Sequence, residues 1–236
     1  MTTQTVAPAR TPSEQIEWAI RERSSAHHVI QVRAAIGWTV VTFGLYAFYL
    51  FYELMRRARD HNRRRVALLT AGLELAQQRA LQAGAQADVG PALERAGAEV
   101  RALRALDTDY RDPQLWLLFS FLGNGLVWLV EAILLDHDLI RHARHERAAE
   151  AELAHAFTQL GLPVPVPAAA AKQPHDYVGR ILALIATLGL YSLWWAADLT
   201  REGNEHVRQD EAWEDALAAA VGAAAPVPDD ATLEWS

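Results

Sequence analysis

Around residue 140 the chain reads Asp136-His137-Asp138-Leu139-Ile140-Arg141-His142-Ala143-Arg144-His145-Glu146, a dense run of groups that can ligate metals. On a helix Asp138, His142 and either His145 or Glu146 share one face, because residues three and four apart are neighbours. Imidazole and carboxylate at that spacing suit zinc or iron. Arg141, Arg144 and Arg147 interleave with them, however, and the same residues make ordinary ion pairs on a solvated face. No second cluster in the sequence completes a four-ligand sphere, so the expectation is no metal and no cofactor, with metal binding kept as the weaker alternative.

Two other polar groups stand out because their surroundings are apolar. Glu131 lies four residues before the end of a long apolar run, and Asn124 sits between Gly123 and Gly125 in the same run. A carboxylate in hydrocarbon must be neutral, paired or facing a polar cavity, which makes Glu131 a candidate for ion handling as well as for helix packing. Small residues beside Asn124 would let another helix approach while its amide bonds across. No serine-histidine-acid set, phosphate-binding glycine loop or supported carboxylate pair is visible, so no catalytic residue is expected. With no cysteine in 236 residues, thiolate chemistry, disulfides and zinc-thiolate sites are excluded.

The elements that would position these groups are long and apolar. Three runs, Ala34 to Met55, Leu115 to Leu135 and Ile181 to Ala197, approach the roughly 20 residues a helix needs to cross a bilayer. Each contains a Gly-Leu pair (Gly44-Leu45, Gly125-Leu126, Gly189-Leu190), and each has a histidine 17 residues after the glycine, at His61, His142 and His206. The first and third match further: Thr42, Gly44, Tyr46 and Tyr49 correspond to Thr187, Gly189, Tyr191 and Trp194. The repeated unit is thus a membrane segment followed by a polar helix. The three histidines are assigned to packing or lipid-headgroup contacts.

This gives a division into an N-terminal tail and short amphipathic helix (1–33), membrane segment 1 (34–55), a polar helical insert (56–114), membrane segment 2 (115–135), a polar helix (136–161), a Pro/Ala-rich linker (162–176), membrane segment 3 (177–198), a polar helix (199–225) and an acidic tail (226–236). Thr11-Pro12-Ser13-Glu14 has the pattern of a capping box with proline at the first helical position, and the helix it opens is expected along the membrane surface. The insert should be a helix pair, broken near Gly84 and again at Gly90-Pro91. Pro163, Pro165 and Pro167 exclude helix from the linker.

Arg56, Arg57, Arg59, Arg63, Arg64 and Arg65 follow segment 1 and are assigned to topology and anionic headgroups. They hold this end cytoplasmic, and three spans would then invert the middle unit. A re-entrant arrangement, in which each glycine-centred segment dips in and returns, competes with that topology. Nucleic-acid binding is not expected, because Arg56 to Arg104 contains no aromatic stacking group. Twenty-one of the 22 basic residues are arginine and alanine is abundant, which fits a bacterial genome rich in G and C.

The Thr-x-Gly-x-Tyr-x-x-Trp signature resembles a family of small prokaryotic membrane proteins known as domain of unknown function 4234. Thr187 to Trp195 carries the likeness best, and Thr42 to Tyr49 carries it with tyrosine in place of tryptophan. The resemblance implies a membrane protein and brings no catalytic residues. The expectation is therefore an all-α, non-enzymatic integral protein of a bacterial inner membrane. It would be a structural or scaffolding subunit, self-assembling or joined to a larger complex in the lipid bilayer. A small ion or solute transport subunit using Glu131 and Asn124 is the alternative.

Overall fold

The computed structural model describes residues 10–23, 29–109, 112–123, 126–167 and 175–223, and within them the chain is helical with no strand. Eight helices carry the argument: α1 (Pro12–Arg21), α2 (Val32–Val41), α3 (Leu45–Ala83), α4 (Gln86–Asp109), α5 (Pro113–Leu122), α6 (Leu126–Gln159), α7 (Tyr177–Ala186) and α8 (Tyr191–Ala223). Asn124, Gly125, Met1 to Ala9, the linker residues 168–174 and the acidic tail lie outside the described residues.

Each expected membrane segment is two helices rather than one. α2, α5 and α7 are 10 residues long, and the chain then reverses into α3, α6 and α8. The signature residues make two of these turns. Thr42 Oγ1 donates to Trp38 O at 2.7 Å and accepts from Tyr46 N at 2.9 Å. Thr187 repeats both bonds, to Ala183 O at 2.8 Å and from Tyr191 N at 2.9 Å. One hydroxyl thereby adds a second bond to a last-turn carbonyl of one helix and occupies an orphan donor at the start of the next. Phe43 (φ 51°) and Gly44 (φ 91°) are both left-handed, as are Leu188 (φ 50°) and Gly189 (φ 92°). The glycine N–H reaches back five residues to Thr39 O and Leu184 O, at 2.8 Å each, in the pattern of a Schellman stop. The arms fold back antiparallel, as Ser120 bonding to Glu131 and Arg180 to Asp198 across their turns show.

The expected continuous spans are thus corrected: among the described residues no helix is long and apolar enough to cross a membrane. The cause is local. A run of apolar side chains specifies burial, but two consecutive left-handed residues end the helix in the middle of that run. The expected boundaries at 55/56, 135/136 and 198/199 fall inside α3, α6 and α8, which continue unbroken from apolar to polar sequence.

The three long helices run parallel and in register. Counted from Gly44, Gly125 and Gly189, side chains meet in layers spaced alternately three and four residues apart: Phe51/Ala132/Ala196, Leu54/Leu135/Leu199, Ala58/Leu139/Gly203, His61/His142/His206, Arg65/Glu146/Asp210, Leu68/Ala149/Trp213 and Gly72/Leu153/Leu217. That spacing is the heptad seam of a coiled coil. Because the helices are parallel, the middle unit is not inverted, and the alternating topology is also corrected. The seam has an apolar layer near the turns, built on Phe51, Leu54 and Trp195, and another at the far end around Leu68, Leu153 and Trp213. Between them lies a polar section.

α1 and α4 close the far end. The Thr11 capping box forms as expected, with both reciprocal bonds present. Ile16 and Ala19 pack into the far core beside Leu68 and Trp213, so α1 belongs to the bundle rather than lying along a membrane. α4 packs on α3 and α6 and buries Val89, Leu93, Ala96, Val100 and Leu103. The break at Gly84 is real, with φ 65° and Ala85 N bonded to Ala80 O, whereas α4 runs through Pro91, whose missing donor falls in its second turn. Leu68, Leu69 and Leu75 are buried within the chain, and Leu73 packs partly buried against them. The linker has neither helix nor strand from Leu162 to Pro167, and Val164 is buried in the far core.

Candidate metal centre

The three histidines that end each unit meet at the axis of the bundle. Their ring centroids form a near-equilateral triangle, with sides of 5.0 Å (His61–His142), 5.2 Å (His61–His206) and 5.5 Å (His142–His206). The rings pack edge to face inside the bundle, as the packing expectation has it, and are away from any headgroup position. Their shared offset from a glycine in the sequence gives the helical reason: in parallel helices in register, equal offsets reach equal depth.

One turn further on, Arg65, Glu146 and Asp210 form the next layer. Glu146 Oε2 lies 3.0 Å from His206 Nε2 and 3.3 Å from His142 Nε2. Asp210 Oδ2 is 3.5 Å from Nε2 of both His61 and His206. Donor atoms of His61, His142, His206 and Glu146 all fall within 4.8 Å of one another. Ligands held about 2.0–2.1 Å from a tetrahedral ion are about 3.3 Å apart, so these edges are already near coordination distance. Nε2 of His142 and of His206, Oε2 of Glu146 and Oδ2 of Asp210 are buried and make no hydrogen bond among the described residues. Buried polar atoms left without partners are costly, and several aimed at one point suit a cation.

The remaining atoms of these side chains are fixed from behind. His142 Nδ1 is 2.9 Å from Asn62 Oδ1, and Asn62 Nδ2 donates to Leu103 O at 3.3 Å, which orients the amide. His142 therefore carries its proton on Nδ1 and points the Nε2 lone pair inward, as ligating histidines do. The other oxygen of Glu146 accepts from Arg65 Nε, and the other oxygen of Asp210 accepts from Arg147 at 2.8 Å. Arg65 is fully buried, holds Glu150 as well, bonds Glu214 at 2.8 Å and lies over the Trp213 ring. Arg64 bonds Glu214 at 2.6 Å, and Arg23 bonds it at 2.9 Å.

Of the six arginines assigned to headgroups, Arg57, Arg64 and Arg65 are instead buried, and Arg57 bonds Asn204 at 2.6 Å. Arg56 and Arg59 pair with Glu53 and Asp60 near the surface, and Arg63 is exposed. Arg65 falls on the heptad seam, and Arg57 and Arg64 each stand one residue before a seam position, a pattern that overrides the charge run.

Protonation in the cluster reflects crowded carboxylates. Burial raises Glu146, but Arg65 together with His142 and His206 outweighs it and holds the group well below the ordinary range. Burial and the neighbouring Glu146 push Asp210 up to about 8, and burial, Glu146 and Asp210 push Glu150 up to about 7. Burial also holds His61 well below its usual value, so it is the neutral imidazole that faces the axis. The arginines do not fully offset the acids, and His61 presents a lone pair rather than charge.

Toward the turns the site opens on a cavity of about 20 Å³, the room of one water, lined by Leu54, Ala58, Leu135, Leu139, Leu199 and Arg57 among others. Gly203 makes space for Arg57 at its wall, since a Cβ there would meet Arg57 Nη2 at 2.2 Å. An ion among the imidazoles would keep one position facing this cavity.

The run from Asp136 to Glu146 contributes only His142 and Glu146 to the centre. Asp138 and His137 approach each other at 3.8 Å near the surface, and His145 pairs with Glu99 at 2.7 Å. Asp136, His175 and Glu202 form a second cluster, but both His175 nitrogens are engaged, at 2.9 Å each, by Asp136 and Glu202. Glu131 is buried and accepts from Ser120 Oγ in the α5–α6 hairpin, so the structure gives it a packing role. Asn124 lies outside the described residues. Comparison with family models, with curated proteins and with solved structures finds no match, so function is argued from the site.

Proposed function

We propose that the protein is a metal-binding helical protein that holds one divalent first-row transition metal through His61, His142, His206 and Glu146, with Asp210 as a further oxygen donor. The observation that carries this reading is the convergence of His142 and His206 Nε2 with Glu146 Oε2 and Asp210 Oδ2, buried and without hydrogen bonds among the described residues, at neighbouring distances of 3.0 to 3.5 Å on the axis of three parallel helices, where His61 also packs. Three imidazoles with carboxylate oxygen suit zinc, iron, manganese or cobalt rather than magnesium or calcium, which prefer all-oxygen shells. Each donor helix begins at its own hairpin turn. The ion therefore fixes the register of the three hairpins, and the role follows as metal-dependent organisation of the hairpin end.

This replaces scaffolding as the leading reading, because Leu68, Leu69 and Leu75 of the polar part of α3 are buried within the chain. The transport alternative loses its motive too, since Glu131 packs against Ser120 and not along a polar path.

The test is titration of the full chain, purified in mild detergent and stripped with chelator, with cobalt(II). Visible absorption bands saturating at one equivalent, displaced by zinc, are expected, together with a rise in Tm. His61→Ala, His142→Ala and His206→Ala should each abolish the bands while helicity persists. Bands no stronger than those of cobalt in buffer would refute the assignment.

A further inference from the structure

We infer that the three hairpin turns insert side by side into one leaflet of a phospholipid bilayer, without crossing it, and leave the whole polar bundle and its metal centre on one side. The observations are separate from those that carry the metal assignment.

The first is where the exposed apolar side chains lie. Of the 20 large apolar side chains that are exposed among the described residues, 18 belong to the three hairpins, Val29 and Val166 being the exceptions. The most exposed stand at the turns: Phe43 at 98% and Leu188 at 94%, with Phe121 and Leu122 at 69% and 70% beside the third turn. A monomer seldom exposes contiguous apolar surface of this extent. Because the long helices are parallel and in register, all three turns lie at one end of the molecule.

The second is length. A 10-residue arm measures about 15 Å, half of the roughly 30 Å hydrocarbon core. The first acidic residues below the turns are Glu131, Glu53 and Asp198, six, nine and nine residues along, and each has a partner: Ser120, Arg56 at 2.7 Å and Arg180 at 2.6 Å. Trp38, Tyr49 and Trp194 are exposed on the arms, residue types that favour the interface. The turns also satisfy their own backbone through Thr42, Thr187 and the five-residue N–H bonds, which hydrocarbon demands of any backbone that enters it.

The third is the form of the surface. Phe43 and Leu188 project from positive-φ positions into open space, which a fluid can fill and a rigid protein groove would have to enclose at both turns. The metal layer sits 17 residues, about 25 Å, below Gly44 and Gly189. That places it about 10 Å beyond the arms and outside the hydrocarbon.

The native chain has no cysteine, so single reporters are clean. The exposed positions Glu74, Gln159 and Ala219 lie toward the polar ends of α3, α6 and α8. Full-length Glu74→Cys, Gln159→Cys and Ala219→Cys proteins, bound to preformed vesicles of zwitterionic and anionic phospholipid, should all react with an impermeant maleimide added outside. A bimane on Phe43→Cys, Leu122→Cys or Leu188→Cys should be quenched by lipid spin-labelled deep in the acyl chain. The double variant Phe43→Ser/Leu188→Ser should lose at least ten-fold in vesicle flotation while retaining its cobalt bands, or its helicity if cobalt does not bind. Protection of Gln159→Cys alone would overturn the proposal in favour of spanning. Turn reporters unquenched by lipid but cross-linking between copies would overturn it in favour of a homomeric contact.

Discussion

Nδ1 of His142 and Oδ1 of Asn62 are 2.9 Å apart, and the same amide donates to the backbone oxygen of Leu103 in α4. A histidine at the centre of the bundle is thus held in one tautomer by a helix that contributes no donor of its own. Replacing Asn62 with Leu, close to it in size, should lower metal affinity about 10- to 100-fold, the usual effect of losing an outer-shell partner. Competition with a calibrated chelator measures this. Unchanged affinity would show that His142 needs no such orientation.

Arg65 and Glu214 make the next contact down the axis, at 2.8 Å, with Glu146 and Glu150 on the other guanidinium nitrogens. Breaking a buried ion cluster by removing one partner typically costs about 3–5 kcal/mol, because charges are left uncompensated. Arg65→Met should therefore destabilise the fold by about that amount in denaturant unfolding. Glu146→Gln alone should cost less, since three acids share the arginine.

Glu150 gives a pH dependence of definite sign. Its folded pKa, about 7, is above the ordinary 4.5. Its contribution to stability is therefore fully present below about 4.5 and is lost as pH rises through about 7. Glu150→Gln removes this titration, so the stability difference between variant and native metal-free protein should grow in the variant's favour from pH 5 to pH 8. Tm measured across that range on both proteins checks it, and a constant difference would contradict the assigned shift.

Much of this architecture is written in the sequence at fixed intervals. The Gly-Leu pairs, the threonines and the 17-residue offset to His61, His142 and His206 are all readable without coordinates, and the capping box at Thr11 is as well. What misleads is the hydropathy of residues 34–55 and 177–198, where apolar content implies one helix and the Thr-x-Gly turn makes two. The metal centre escapes a local search because its donors are 81 and 64 residues apart in the chain. Searching for ligands three or four residues apart finds Asp138 and His145, which face elsewhere. The heptad spacing from each turn glycine would have found the centre, since it places the histidines in one layer and Arg65, Glu146 and Asp210 in the next. The inward Arg65 follows from the same spacing, and Arg57 and Arg64 each precede a seam position by one residue, whereas their charge alone points to the surface.

Gly189 is where the turn chemistry can be isolated. It has φ 92°, nothing lies near the place a Cβ would occupy, and it follows Leu188, which is already left-handed at φ 50°. Gly189→Ala therefore introduces backbone strain without a clash, at about 1–2 kcal/mol. Leu188→Gly relieves strain at the adjacent position and should stabilise the turn, while removing one of the two most exposed apolar side chains. The two variants separate fold from surface. Gly189→Ala should lower Tm with vesicle binding retained, and Leu188→Gly should hold or raise Tm while weakening vesicle binding. If both properties moved together in both variants, the turn could not be acting as an independent unit that presents Leu188.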